Sequence, residues 1–298
     1  MEPVAATGFI PRLHPHPGRR TIALWRRRTT GLLLAPGLAV LALVFLYPVA
    51  VTLVAAPAGV DDGGLADRLG ALAADDHIWR AAARTVRVAA LVTGLCLLLG
   101  LPVGFLISRG PPRRRAVLLA LAVFPLLLST VVRTYSWLVI LGRTGLLSRA
   151  LTGLGLAERP TQLLYTETAV VVGLTQLFTP LVIITAYGAF AHVHPDLEAA
   201  ARGLGASAGS AFRRVALPLA LPGVLVGATL VFAGAVTAFT TPLLLGGTRT
   251  PTLATLLYDY ANVTVDWSSA AAVALLMTVI VLAAGALAAR APAKAAPS

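Results

Sequence analysis

The sequence predicts an all-α membrane protein of six transmembrane helices with both termini in the cytoplasm. Three observations carry that expectation. The 298-residue chain is 57% hydrophobic and only 12% charged, where a soluble domain carries about 25% charged residues. Six apolar stretches reach or approach the roughly 20 residues needed to cross a hydrocarbon core about 30 Å thick. Its basic residues also gather in alternate connecting segments, the usual mark of membrane orientation.

The predicted spans are 32–55, 82–107, 117–141, 168–190, 219–243 and 270–289. In lipid a backbone must satisfy its own hydrogen bonds, so continuous runs of this length form helices. A membrane barrel needs short alternating strands instead. Residues 1–30 are rich in Pro, His and Arg without apolar periodicity and read as a mobile basic cytoplasmic tail. His14 and His16 flank Pro15 there, and two stray histidines in such a tail make no metal site. The membrane domain is 31–290, and 291–298 is a second cytoplasmic tail.

The first apolar run precedes Ala56-Pro57-Ala58, which mimics a signal-peptide cleavage site. It is longer than the usual 7–15 residue apolar region of such peptides, so the first helix is expected to stay. Residues 56–81 form an acidic exterior loop with a short helix over 65–74. The second span holds Cys96, the only cysteine, which excludes an internal disulfide and a Cys-based metal site. Gly110-Pro111-Pro112 ends that span in a tight inside turn. Exterior loops follow at 142–167 and 244–269, the latter with Gly246-Gly247 and with Trp267 as an interfacial anchor. Pro102, Pro125, Pro180 and Pro222 bend their helices. Bends beside a pathway and ordinary packing geometry are equally open readings.

With the N-terminus inside, the cytoplasmic segments are the two tails, 108–116 and 191–218. They hold Arg26, Arg27, Arg28, Arg109, Arg113, Arg114, Arg115, Arg213, Arg214, Arg290 and Lys294, among others, against only Glu2, Asp196 and Glu198. The remaining acids, Asp61 and Glu167 among them, fall outside. The net charge of +12 is therefore a topology signal. Nucleic-acid binding would instead cluster basic residues on one soluble face.

One inside loop stands out. Pro195 ends the preceding segment, Asp196 is placed to cap a new helix, and Glu198 sits near its positive end. Glu198 and Arg202 are four apart, in the better orientation for a helical ion pair. Leu197, Ala200, Ala201 and Leu204 form one apolar face, with Ala199 beside it. Gly203 and Gly205 loosen or stop the helix, and Ala206 follows. Ser207 caps a second short helix over 208–217, which Pro218 ends. Two readings of this small-sided element stand: a docking surface for a partner protein, or a connector packed beneath the membrane helices.

The spacing resembles the signature loop of importer-type ABC transporter permeases, Glu-Ala-Ala, three residues, Gly, nine residues, Ile-x-Leu-Pro. Ala200 and Ala201 fall on its alanines, Gly205 on its glycine, Val215 on the isoleucine, and Leu217-Pro218 on its end. The family's glutamate position is held by Ala199, and the nearest acid is Glu198. Arg133-Thr134-Tyr135-Ser136-Trp137, Gly145-Leu146-Leu147, Phe239-Thr240-Thr241-Pro242 and Asp266-Trp267 resemble the spermidine/putrescine permeases of the B-subunit type. These later motifs are shared in part by permeases for iron, thiamine and opines. The likeness covers roughly 30–290. It implies that 196–207 docks into a separate ATPase subunit, that a second permease completes a heterodimeric path, and that an extracytoplasmic binding protein delivers the solute. A polyamine is the solute it favours.

The chain has no Gly-x-x-x-x-Gly-Lys-Ser/Thr and a single lysine, Lys294. It cannot make a phosphate-cradling loop, so ATP and Mg belong to the partner ATPase and no cofactor is expected here. No catalytic residues are assigned, and a membrane-embedded enzyme is disfavoured. An ion-gradient transporter would favour acids inside the spans, and none lies well inside. Arg133 is the one charge deep within a span. Three readings compete: snorkelling to the outer interface, pairing with Asp259 or Glu167, or contact with an anionic substrate group. Tyr135, Trp137, Phe178, Phe239 and Tyr258 offer faces to an amine, or simply pack. The acidic first exterior loop would attract a polycation, contact a binding protein, or be a plain solvated surface.

Overall fold

The computed structural model describes residues 74–155 and 163–290, with scattered positions between 35 and 47 and Gly70. Both tails, most of the predicted first span, most of the short helix at 65–74 and Glu158 lie outside the described residues. By contacts the chain divides into two units between Gly59 and Val60. Among the described residues no strand occurs. Four helices, all in the second unit, are long and apolar enough to cross a membrane, or five if one bent pair counts as a span.

Helix α1, Asp76–Arg109, is the longest element at 34 residues. At about 1.5 Å per residue it is a rod of roughly 50 Å, longer than a bilayer core is thick. It begins six residues before the predicted span because Asp75 caps it, accepting from the His77 amide at 2.7 Å. Helix α5, Glu167–Ala191, and helix α10, Trp267–Arg290, lie close to their predicted bounds. Thr166 caps α5 by accepting from the Ala169 amide.

Two predicted spans are corrected. The run 117–141 is not one helix. It splits into α2, Pro112–Leu127, and α3, Thr130–Leu141, separated by extended backbone at Leu128, with a bend of 87° between α2 and the stretch Thr130–Gly153. Ser129 and Thr130 interrupt the apolar run at the break. Pro125 prepares it, since a proline removes one helical hydrogen bond and crowds the preceding turn. The run 219–243 also stops early. Helix α8, Leu217–Thr237, ends at extended Ala238, and the chain re-forms as a π turn over Pro242–Gly246. Pro242 stands at the start of that turn, where a missing N–H costs least.

The short helix ended by Pro218 is corrected too. Ser207 caps α7, Ala208–Ala211, as expected, but a π turn over Phe212–Ala216 carries the chain straight into α8. In that wider turn the Leu217 amide reaches back to Phe212 O. Pro218 then starts α8, where a proline is tolerated. Between α3 and α5, α4 covers Leu146–Gly153.

Helix α5 is the central element, and α1 and α8 pack both on it and on each other. Small residues bring the backbones together. A Cβ on Gly104 would lie 2.7 Å from Ala186 Cβ and 2.9 Å from Ile183 O, and one on Gly223 would lie 2.6 Å from Ala189 Cβ. Close approach of this kind is how membrane helices gain packing without a hydrophobic drive. The buried core runs through Val92, Cys96, Leu174, Val182, Val231 and Val273. Helix α9, Leu253–Tyr258, packs on α10 and α1. Its Leu253 amide donates to Thr85 Oγ1 at 2.9 Å, and Arg84 donates to Pro251 O at 3.0 Å.

Gly104→Leu is expected to lower the melting temperature of the purified protein by overpacking, at a cost of about 1–3 kcal/mol. Gly94→Leu, where a Cβ meets nothing within 4 Å, is expected to leave it unchanged. Equal melting of the two variants contradicts the α1–α5 contact.

Candidate functional site

The loop between α5 and α8 folds as α6, Pro195–Gly203, followed by α7. His194, not Asp196, takes the N-cap position, and its side chain makes no cap bond. Pro195 is the first helical residue, where its fixed backbone angle suits the helix. Asp196 lies in the first turn, exposed, with His194 Nδ1 3.2 Å from its carboxylate.

Glu198 points inward. It is 4% exposed and accepts from Arg109 at the end of α1, with Nε at 3.0 Å and Nη2 in direct contact. It does not pair with Arg202, which is exposed. Arg109 also donates Nη1 to Phe190 O at 3.1 Å, so one guanidinium ties α6 to both α1 and α5. Beneath it Phe105, Phe190 and Phe212 form a cluster with ring centroids 4.7–5.7 Å apart. The guanidinium lies 5.4 Å from the Phe105 ring centre, a cation–π contact.

With Glu198 turned in, the apolar face turns out. Leu197 is 47% exposed and Leu204 is 91% exposed. Ala199 and Ala200 are exposed, and Ala201 and Ala206 are half-buried. Gly205 ends the helix with φ of 92°. Its amide donates to Arg202 O and the Ala206 amide to Ala201 O, the paired bonds of a left-handed helix end that glycine adopts without Cβ strain. Ser207 accepts from the Ser210 amide at 3.3 Å. Leu217 is half-buried against the phenylalanine cluster, and Pro218 is exposed.

The pathway candidates do not form one cluster. Arg133 is 9% exposed, on the first turns of α3. Glu167 is engaged by Arg87 instead, and Asp259 is exposed. Tyr135 faces outward at 55% exposure. Trp137 donates Nε1 to Gln176 Oε1 at 3.5 Å. Phe178 packs against Gly234. Phe239, beside the α8 break, lies against Tyr258 with ring centres 4.7 Å apart. Sequence reasoning missed Arg109 as the partner of Glu198, since the two are 89 residues apart and no local spacing joins them. It also missed Thr134 and Thr241, whose hydroxyls meet at 3.4 Å.

Removing Arg109 leaves a buried carboxylate unanswered. Arg109→Ala is expected to cost roughly 2–4 kcal/mol, allowing for the partial exposure of the arginine. It is expected to speed amide hydrogen exchange across 195–203, with Arg109→Lys intermediate. Unchanged exchange contradicts the clamp.

Residues 98–293 match the family model described as "Binding-protein-dependent transport system inner membrane component". The chain is 34% identical to the spermidine/putrescine transport system permease protein PotB of Haemophilus influenzae, over 66% of this chain and 68% of that one. It is 35% identical to the molybdenum transport system permease protein ModB of Mycobacterium tuberculosis, over 66% and 73%. Among solved structures, a chain of a bacterial ABC transporter that imports the acidic polysaccharide alginate shares the fold. Its TM-score is 0.67 at 21% identity, covering 90% of this chain and 99% of that one. With its helical membrane core and matching family model, the chain belongs to the inner membrane components of binding-protein-dependent transport systems.

Proposed function

We propose that the chain is the permease subunit of an ABC importer in the plasma (inner) membrane, moving a small solute with energy from a separate ATPase. The observation that carries this is α6. Its polar anchor Glu198 is spent on Arg109 within the chain, and its apolar side, with Leu197 and Leu204, is left outside. Exposed apolar surface on a short, firmly held helix marks a protein contact. The ATPase would grip this face and the Gly205–Ser207 corner, hydrolysing ATP with Mg at its own site.

The proposed topology has six spans with both termini inside. The run 32–55 provides the first, the bent α2–α3 pair the third, and the four long helices the rest. The charge asymmetry supports this orientation and puts α6 in the cytoplasm. A second, different permease subunit completes the path in this proposal, and an extracytoplasmic binding protein supplies the solute. The names of the PotB relatives support a polyamine such as spermidine or putrescine as the leading solute class.

Co-purification tests the docking role. A Cβ at Gly205 meets nothing within 4 Å, but the backbone there is left-handed. Gly205→Trp is therefore expected to misplace the corner and obstruct the partner. The ATPase recovered with the chain should fall at least about tenfold, the scale of losing one central contact, while membrane insertion is unchanged. Normal recovery of the ATPase contradicts the docking role.

A further inference from the structure

Arg133 lies at a helix start that has no place for a cation. Helix α3 opens at Thr130, directly after the 87° bend, and Ser129 at its N-cap makes no side-chain bond. The amides of Thr130, Val131 and Val132 are left without a side-chain cap at the positive end of the helix dipole. Arg133 adds like charge to that end. Its Nη2 turns back to Thr130 Oγ1 at 3.4 Å, so the guanidinium lies over the uncapped turn. The residue is only 9% exposed, and its Nε and Nη1 have no hydrogen-bond partner among the described residues. A buried cation with unanswered donors is costly unless something of opposite charge completes it. Among the described acids, Glu167 is held by Arg87 and Glu198 by Arg109, Asp75 accepts from the His77 amide and Asp266 from Ser269, and Asp76, Asp196 and Asp259 are exposed.

The surroundings indicate where the opposite charge comes from. Helix α3 packs on the turn Pro242–Gly246, just beyond the break in α8. The two interrupted segments meet where the Thr134 and Thr241 hydroxyls are 3.4 Å apart, and one turn further Trp137 reaches Gln176. Interrupted helices that bring a free helix N-terminus and polar side chains together inside a membrane domain build sites for anionic solute groups.

We infer that Arg133 and the α3 N-terminus form an oxyanion site on the translocation path, taking a carboxylate or a comparable group of the transported solute. The inference rests on the importer reading but departs from its simple polyamine solute. A simple diamine leaves the guanidinium unanswered, whereas an amine that also carries a carboxylate meets both this site and the kinship with polyamine permeases.

The assembled transporter, with its second permease and ATPase, is heated in detergent with sodium acetate replacing sodium chloride at constant ionic strength. Acetamide serves as the uncharged isostere. Acetate is expected to raise the melting temperature by about 3 °C, acetamide to do nothing, Arg133→Gln to abolish the rise and Arg133→Lys to keep part of it. If Arg133→Gln does not assemble, the comparison of acetate with acetamide on wild type and Arg133→Lys still decides. No response in wild type, or an equal response in Arg133→Gln, overturns the site. If wild type ignores acetate and Arg133→Gln releases the second permease, an acid of that subunit holds the guanidinium. The oxyanion site then falls while the importer reading stands. Failure of the ATPase to join the wild-type complex is a separate result that strikes the importer reading alone, and the acetate response of the permease pair then still decides the site.

Discussion

The contact on which the structure depends is the one between α1 and α5, where Gly100 and Gly104 let two membrane helices touch along their backbones. Lipid tails are as apolar as the side chains they would meet, so burial alone does not hold membrane helices together. Close fit does. Glycines at 100 and 104 open α1 to Val182 and Ala186, while Gly223, Gly227 and Gly234 open α8 to Ala189, Thr185 and Phe178 of α5. The resulting three-helix core fixes where every shorter element can attach.

The clamp on α6 follows from that packing. Arg109 is the last residue of α1, and Phe190 lies near the end of α5. Only because the two helices run side by side does one guanidinium reach both Phe190 O and Glu198. The phenylalanine cluster adds Phe212 from the π turn that enters α8. Helix α6 is thus joined to three long helices at one point. In the proposed function a displacement of α6 by an ATPase reaches α1, α5 and α8 together, as expected of an element that passes motion between rigid bodies.

The sequence made the long helices legible through the length of their apolar runs, as for α5, which the structure places at Glu167–Ala191 against an expected 168–190. Gly205 was legible as well, since a helix stop that needs a left-handed residue leaves a glycine behind. The breaks at Leu128 and Ala238 were not, because Ser129-Thr130 and Thr240-Thr241 interrupt the apolar runs only briefly, and hydroxyl side chains are common within membrane helices. Pro125 and Pro242 hinted at them, yet Pro102 and Pro180 lie inside unbroken helices. The direction of α6 was left open for a different reason. Its spacing marks an apolar face, and in water that face would turn inward. Here a buried ion pair from a residue 89 positions away turns the helix over.

The central claim is that this chain moves solute only when a separate nucleotide hydrolase acts on it. Sealed vesicles containing the chain and its second permease, supplied with loaded binding protein, test it most directly. Uptake measured with and without the ATPase subunit and ATP is expected only when both are present. Solute accumulation in vesicles that contain no ATPase, driven by an ion gradient alone, would contradict the account.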